Sequence, residues 1–460
     1  MPASPHHVSP SVSKRIFRPR FLLIAAAVWH LSVAVSVFVV GKYQIIPSQF
    51  YPNGIGKFAS DGIGYQDQCV ELRSILRNEG IKAWATWPTQ LHVRLYSAPF
   101  AVLPESMGIN VLTIEPLNLI YYLAILVLVF TIGKRVFDRQ SGLLAAAIVA
   151  LWPTFVLHTT QLLRDPLLVL SVLVFVWSVG ESLRRVVSWR RALLLGIAAI
   201  VAIVCIRIVR LPMWYVLCAG VGVAVVLLIV HAVLQKQIGL GKAIFALLIL
   251  MAIVITPRFQ SSFHNQQELR AKRSLSPEAV EKLPVQDQIA ARREAWKFQL
   301  DDQGNAVPAE DGSRIDSDVH FDSLGGIVRH VPRGIVVGFF APFPNMWWRQ
   351  GYQVGYGGRI LSGFETILTY VIECLALFGL WRARRDLSIW FFVPFIALGV
   401  VGLGLVVNNI GALYRLRYPF WVLLVIVGAG GATFLIRKTS YGQSHGSVEQ
   451  ILQAPGNNSV

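Results

Sequence analysis

Residues 21–43, FLLIAAAVWHLSVAVSVFVVGKY, carry one histidine and no charge before Lys42. At 1.5 Å per helical residue, such a run crosses the hydrocarbon core of a bilayer, about 30 Å thick. It is too long for a signal-peptide core and has no clear cleavage site, so it reads as an uncleaved first span with its amino end in the cytoplasm. Comparable runs recur at Leu117–Gly133, Ser141–His158, Pro166–Leu183, Ala192–Val209, Leu211–Leu234, Ala243–Thr256, Ser362–Trp381, Ile389–Val407 and Phe420–Ile436. The expected fold class is therefore an all-α polytopic membrane protein of about ten transmembrane helices.

Composition agrees. Of the 460 residues 54% are hydrophobic and 15% charged, against about 25% charged in soluble domains. The net charge of +17 does not point to nucleic acid, because the basic residues sit in short clusters between apolar runs. With the amino end inside, the inner clusters are Lys14–Arg20, Lys134–Arg139, Arg184–Arg191, Lys236 with Lys242, Arg382–Arg385 and Arg437–Lys438. All of them then face the cytoplasm, as do both termini. Cys69, Cys205, Cys218 and Cys374 are too widely spaced to suggest a disulfide framework or a metal site.

The chain divides accordingly. A basic cytoplasmic tail (1–20) precedes a transmembrane core (21–256) that includes an outer loop, 44–116. A second outer region (257–361) follows, then C-terminal transmembrane helices (362–437) and a polar, disordered cytoplasmic tail (438–460). Within the second outer region, Ser276-Pro277-Glu278 reads as a helix start and Asp301–Asp318 as a loop. Residues 334–348, GIVVGFFAPFPNMWW, are expected to dip into the outer interface rather than cross.

Chemistry-bearing residues collect on the expected outer side. In residues 60–76, SDGIGYQDQCVELRSIL, Asp61 and Tyr65 open a helix-like run. Asp-Gly is also common in plain turns. Arg164 and Asp165 share an outer turn, as charged groups of a site or as a local helix-capping pair. Arg207 and Arg210 end a span against the basic-inside bias, as functional groups or as snorkelling anchors. Arg415 and Arg417 do the same in the last outer turn. Arg329, beside His330, would serve a site or anchor the dip to headgroups. His30 and His158 read as bonded core residues. Glu365 and Glu373 receive no role.

The Asp61-x-x-x-Tyr65 pattern, residues 133–146 (GKRVFDRQSGLLAA), Leu151-Trp152-Pro153 and Leu163-Arg164-Asp165-Pro166 together resemble the C-type fold membrane glycosyltransferases. The nearest branch is that of protein-O-mannosyltransferases and bacterial lipid A aminoarabinose transferases. The resemblance covers about the first 180 residues well and the rest in outline, and Gly62 stands where the family often has a second acid. It implies transfer of a sugar from a polyprenyl-phosphate donor to a glycan, lipid or protein acceptor on the outer face of a bacterial inner membrane. Asp61 would be the general base, supported by Tyr65 and Asp165, and the arginines would meet the phosphate. No cofactor is implied. A divalent cation at Asp61 and Asp165 is compatible with the sequence but not demanded by it. Two other readings stand beside this one. One is a surface-polysaccharide polymerase or ligase working through 257–361, and the other a non-enzymatic transporter or flippase of lipid-linked saccharide.

Overall fold

The computed structural model describes residues 19–452 except 60, 185, 236–238, 258–279, 281–282, 297, 301–305, 309–312 and 352–353. The expected helix start at Ser276 and most of the amino-terminal tail lie outside the described residues. The chain is an all-α polytopic membrane protein. In order its helices are α1 (Pro19–Lys42), α2 (Asp61–Asn78), α3 (Ile81–Thr86), α4 (Leu91–Val102), α5 (Val111–Val136), α6 (Arg139–Leu151), α7 (Pro153–Thr159), α8 (Asp165–Ser182) and α9 (Trp189–Val209). Then come α10 (Met213–Leu234), α11 (Leu240–Ile255), α12 (Val285–Ala295), α13 (Leu324–Phe340), α14 (Gly355–Ala383), α15 (Leu387–Val406), α16 (Ile410–Leu416) and α17 (Tyr418–Leu452). A short antiparallel hairpin, β1 (Phe298–Leu300) with β2 (Ala306–Pro308), interrupts the second outer region where a loop was expected.

Among the described residues 8 helices are long and apolar enough to cross a membrane, and a bent pair makes up to 9. That pair is α6 and α7, which meet at 68°. Pro153 explains the break, since it lacks an N–H for the helix ladder and forces Trp152 out of the helical region, to ψ 112°. The tenth expected span is α11, whose 16 residues are about 24 Å long, short of a full crossing. The helix α17 continues to Leu452, so the tail beyond Lys438 opens as helix rather than coil, because extending a helix needs no new nucleus. Residues 453–460 lie outside the described residues.

The core is a continuous apolar cluster. Phe175, Phe391, Phe395 and Phe420 interlock at its centre with ring centroids 5.5–6.0 Å apart. Glycines set the close approaches. A Cβ at Gly404 on α15 would collide with the Gly334 carbonyl on α13, and one at Gly338 with the Val400 carbonyl. Gly334 faces Gly404 while Gly338 faces Val400, so α13 runs antiparallel to α15. It begins at Leu324, ten residues before the apolar segment singled out in the sequence. Its far end lies level with mid-α14, where Tyr370 donates to the Phe340 carbonyl (2.6 Å). The chain then returns through 341–354 to the start of α14.

Candidate functional site

Four separate pieces of chain deliver charged side chains to one end of the bundle. The helix α2 opens at Asp61, an acid in the first turn, where the exposed N–H groups favour a negative charge. A Cβ on the next residue, Gly62, would lie 3.2 Å from Ile55 and 3.4 Å from the Leu162 carbonyl. The neighbouring turn therefore leaves little room for the second acid that the sequence pattern lacks. That turn, between α7 and α8, carries Arg164 and Asp165. It is pinned by Gln161, whose side chain accepts from Gly56 N (2.8 Å) and whose carbonyl accepts from Asn118 (3.2 Å). Tyr96 in turn donates to Asn118 (2.5 Å). The third piece is Arg210, which caps the end of α9. The fourth is α16, whose N-cap Asn409 accepts from Ala412 N (3.0 Å) and which presents Arg415.

Arg415 is the hub. Its Nη2 donates to Asp61 Oδ2 at 2.6 Å, while its Nε lies 3.2 Å from Asp165 Oδ2. Arg210 Nη1 stands 3.9 Å from the other oxygen, Asp165 Oδ1. Asp165 and Arg415 keep only 6% and 12% of their side-chain surface exposed, whereas Asp61 keeps 38%. One acid is thus sealed in and the other is open to an incoming molecule. Burial alone would raise the Asp61 pKa, but Arg415, Arg164 and Arg210 overcome it and hold the carboxyl well below the usual range. Arg415 is raised by Asp165 and Asp61 against its own burial. Burial and the nearby Arg164 lower Arg210. Tyr65, packed behind Asp61, is pushed up to about 12 by burial, so its phenol stays protonated.

Three guanidiniums face two carboxylates, leaving one positive charge uncompensated in a mostly dry setting. Hydrogen bonding is also incomplete. Neither oxygen of Asp165 accepts a hydrogen bond, and Arg164 Nε, Arg210 Nη1 and Arg415 Nε donate none. Buried groups in this condition cost about 1–3 kcal/mol each. Such an arrangement suits an anion whose oxygens supply the missing acceptors.

The other expected ligands lie elsewhere. Arg417 is two residues from Arg415 but turns away, donating to the carbonyls of Gly338 (3.1 Å), Phe339 (2.8 Å) and Ala341 (3.0 Å). All three bonds come from Nη1 and cap the end of α13. Arg207 is buried against the face of Trp214, 4.9 Å from the ring centre. Arg329 is exposed on α13, because Ile327, Gly334 and Gly338 take the face turned toward α15. Its neighbour Arg333 grips Asp316 with two bonds (2.9 and 3.0 Å).

Two residues without an assigned role border the site. Glu365, fully buried on α14, accepts from Thr154 N (2.8 Å) and Thr154 Oγ1 (2.5 Å), satisfying an amide left bare at the start of α7. It also accepts from Tyr414, the residue before Arg415. An acid inside an apolar run was the available signal. His92 on α4 is 0% exposed, sits edge-on to Tyr65 (4.4 Å between centroids), and has no hydrogen bond on either nitrogen. Nothing in its local sequence marked it. His30 is bonded as expected, to Glu115 (2.6 Å) and Thr159 (3.0 Å), and His158 to the Thr154 carbonyl (2.6 Å). All four cysteines are free.

Set against models of known families and against curated proteins, the sequence matches none.

Proposed function

We propose that this protein is a glycosyltransferase that moves a sugar from a polyprenyl-phosphate donor to an acceptor on the outer face of a bacterial inner membrane. Both termini are then cytoplasmic. The observation that carries this reading is the pairing of an open carboxylate, Asp61, with an excess of buried guanidinium charge around it.

Arg164 and Arg210 take the donor phosphate, with Arg415 adding its field. As the bond between the anomeric carbon and the phosphate oxygen breaks, the electron pair leaves with the lipid phosphate, and the guanidiniums meet the growing charge. Arg415 holds only Oδ2 of Asp61, so Oδ1 can take the proton of the attacking hydroxyl or amine. The lowered pKa makes Asp61 a weak but permanently ionised base. Weak basicity suffices, because the acceptor proton becomes acidic as it bonds to an oxocarbenium-like carbon. Tyr65 packs behind the base and Asp165 fixes Arg415.

The test is incubation of the purified chain in nanodiscs with a panel of polyprenyl-phosphate sugars, with released lipid phosphate and glycosylated product read by mass spectrometry. Transfer by the wild type and none by Asp61→Asn is the expected result. Equal transfer by both would remove Asp61 from the chemistry.

A further inference from the structure

The seat between Asp61 and Asp165 is where two carboxylates would grip a divalent cation, with oxygen ligands at about 2.0–2.6 Å. Arg415 fills it. We propose that the Arg415 guanidinium is the built-in cation of this site, holding the place of a divalent ion so that lipid phosphate is handled without a metal. The phosphate clause rests on the function proposed above, while the occupancy clause does not.

Three observations carry it. The first is geometry, since one guanidinium addresses both acids, Nη2 to Asp61 at 2.6 Å and Nε toward Asp165 at 3.2 Å. A planar fork can serve two carboxylates at once, which a lysine ammonium at the end of a flexible stem does not reproduce. The second is anchorage. The residue before Arg415 is tied to Glu365, and Arg417, two residues on, is tied to three carbonyls at the end of α13. With α16 held on both sides, its backbone cannot carry the Arg415 guanidinium away from the two acids. The third is charge. Arg210 stands 3.9 Å from Asp165, and Arg164 acts on both Asp61 and Arg210, so an approaching dication meets like charges besides the one it must displace.

The full-length chain in nanodiscs is titrated with Mn2+ alone and followed by electron paramagnetic resonance and calorimetry. The wild type is expected to show no Mn2+ site that depends on Asp61 or Asp165. Arg415→Gln, which removes the charge but keeps most of the volume, is expected to gain a single Mn2+ site, lost again when Asp165→Asn is added. Where sugar transfer is observed, wild-type turnover is expected to be unchanged by EDTA. A wild-type Mn2+ site abolished by Asp61→Asn would overturn the proposal. So would an Arg415→Gln protein that melts cooperatively yet gains no Mn2+. Should that variant fail to fold, the wild-type titration still decides. The Mn2+ arms need no glycosyl transfer, so failure of the enzymatic reading and failure of this one are told apart.

Discussion

The two ends of the helix bundle treat the same residue types in opposite ways. At the end that carries Asp138, Glu181 and Asp386, these three acids are closed off by bonds. Asp138 accepts from Ser141 N (2.9 Å), Ser141 Oγ (3.1 Å) and Arg382 (2.6 Å). Glu181 accepts from Arg184 and Arg191, and Asp386 from Arg135 (3.2 Å) and Ser388 N (2.8 Å). These pairs tie α5, α6, α8, α9, α14 and α15 together. At the other end Asp165 is more deeply buried than any of these except Glu181, and accepts nothing. One end thus bonds its acids, though Arg135 Nε, 3.2 Å from Glu181, is left unbonded there, while the other leaves both oxygens of Asp165 and three guanidinium nitrogens of its cluster unbonded. Ion pairs occur at both ends; what differs is whether every acid in them accepts hydrogen bonds.

The contrast can be broken or sharpened by substitution. The largest effect is expected from Asp61→Asn, which should cut transfer by about 10²–10⁴-fold, the usual worth of a general base, while membrane insertion is retained. Equally low activity in Asp138→Asn would erase the distinction between the ends. Asp165→Asn removes one partner of a buried pair and should cost about 3–5 kcal/mol of stability, seen as a lowered melting temperature in detergent. Gly404→Ala drives a methyl into the Gly334 carbonyl and should cost about 1–3 kcal/mol, with cleavage of the second outer region by added protease as the readout.

A smaller change of opposite sign is expected from His92→Phe. It removes two unbonded nitrogens from an apolar setting and should raise stability by about 1–2 kcal/mol. A fall in melting temperature would show that His92 is already satisfied. The smallest shift concerns pH. The Asp138 pKa lies at about 2, since burial, which raises it, is outweighed by its bonds to Ser141 and Arg382. A depressed acid stabilises the fold above its unfolded pKa of about 3.9 and loses that contribution as pH falls toward the folded value. Wild-type melting should therefore drop more steeply than that of Asp138→Asn between about pH 4 and pH 2. Parallel curves would remove Asp138 from the clamp.

Much of this architecture could be read in advance. Apolar runs announced the spans because a backbone in hydrocarbon must bond to itself, which leaves little choice beyond a helix of about the bilayer's thickness. The same reading missed the break at Pro153, since the run Ser141–His158 is apolar on both sides of it. It also shortened α13, whose first turns are amphipathic rather than apolar. Arginines placed against the charge bias gather at the end that holds Asp61 and Asp165, where they make different contacts. Arg415 and Arg417 lie two residues apart, yet one bridges two acids and the other caps a helix, because successive helical positions turn by about 100°.

By itself the sequence determined the class of the protein, the order of its spans and the residues able to carry charge at their ends, since each follows from local hydropathy and spacing. Only the tertiary structure decided which of those charges meet. Asp61 and Arg415 are 354 residues apart and bond at 2.6 Å, and no local pattern encodes that. Their meeting depends on how α2, the α7–α8 turn, α9 and α16 pack, and packing sums many weak contacts that no single segment contains.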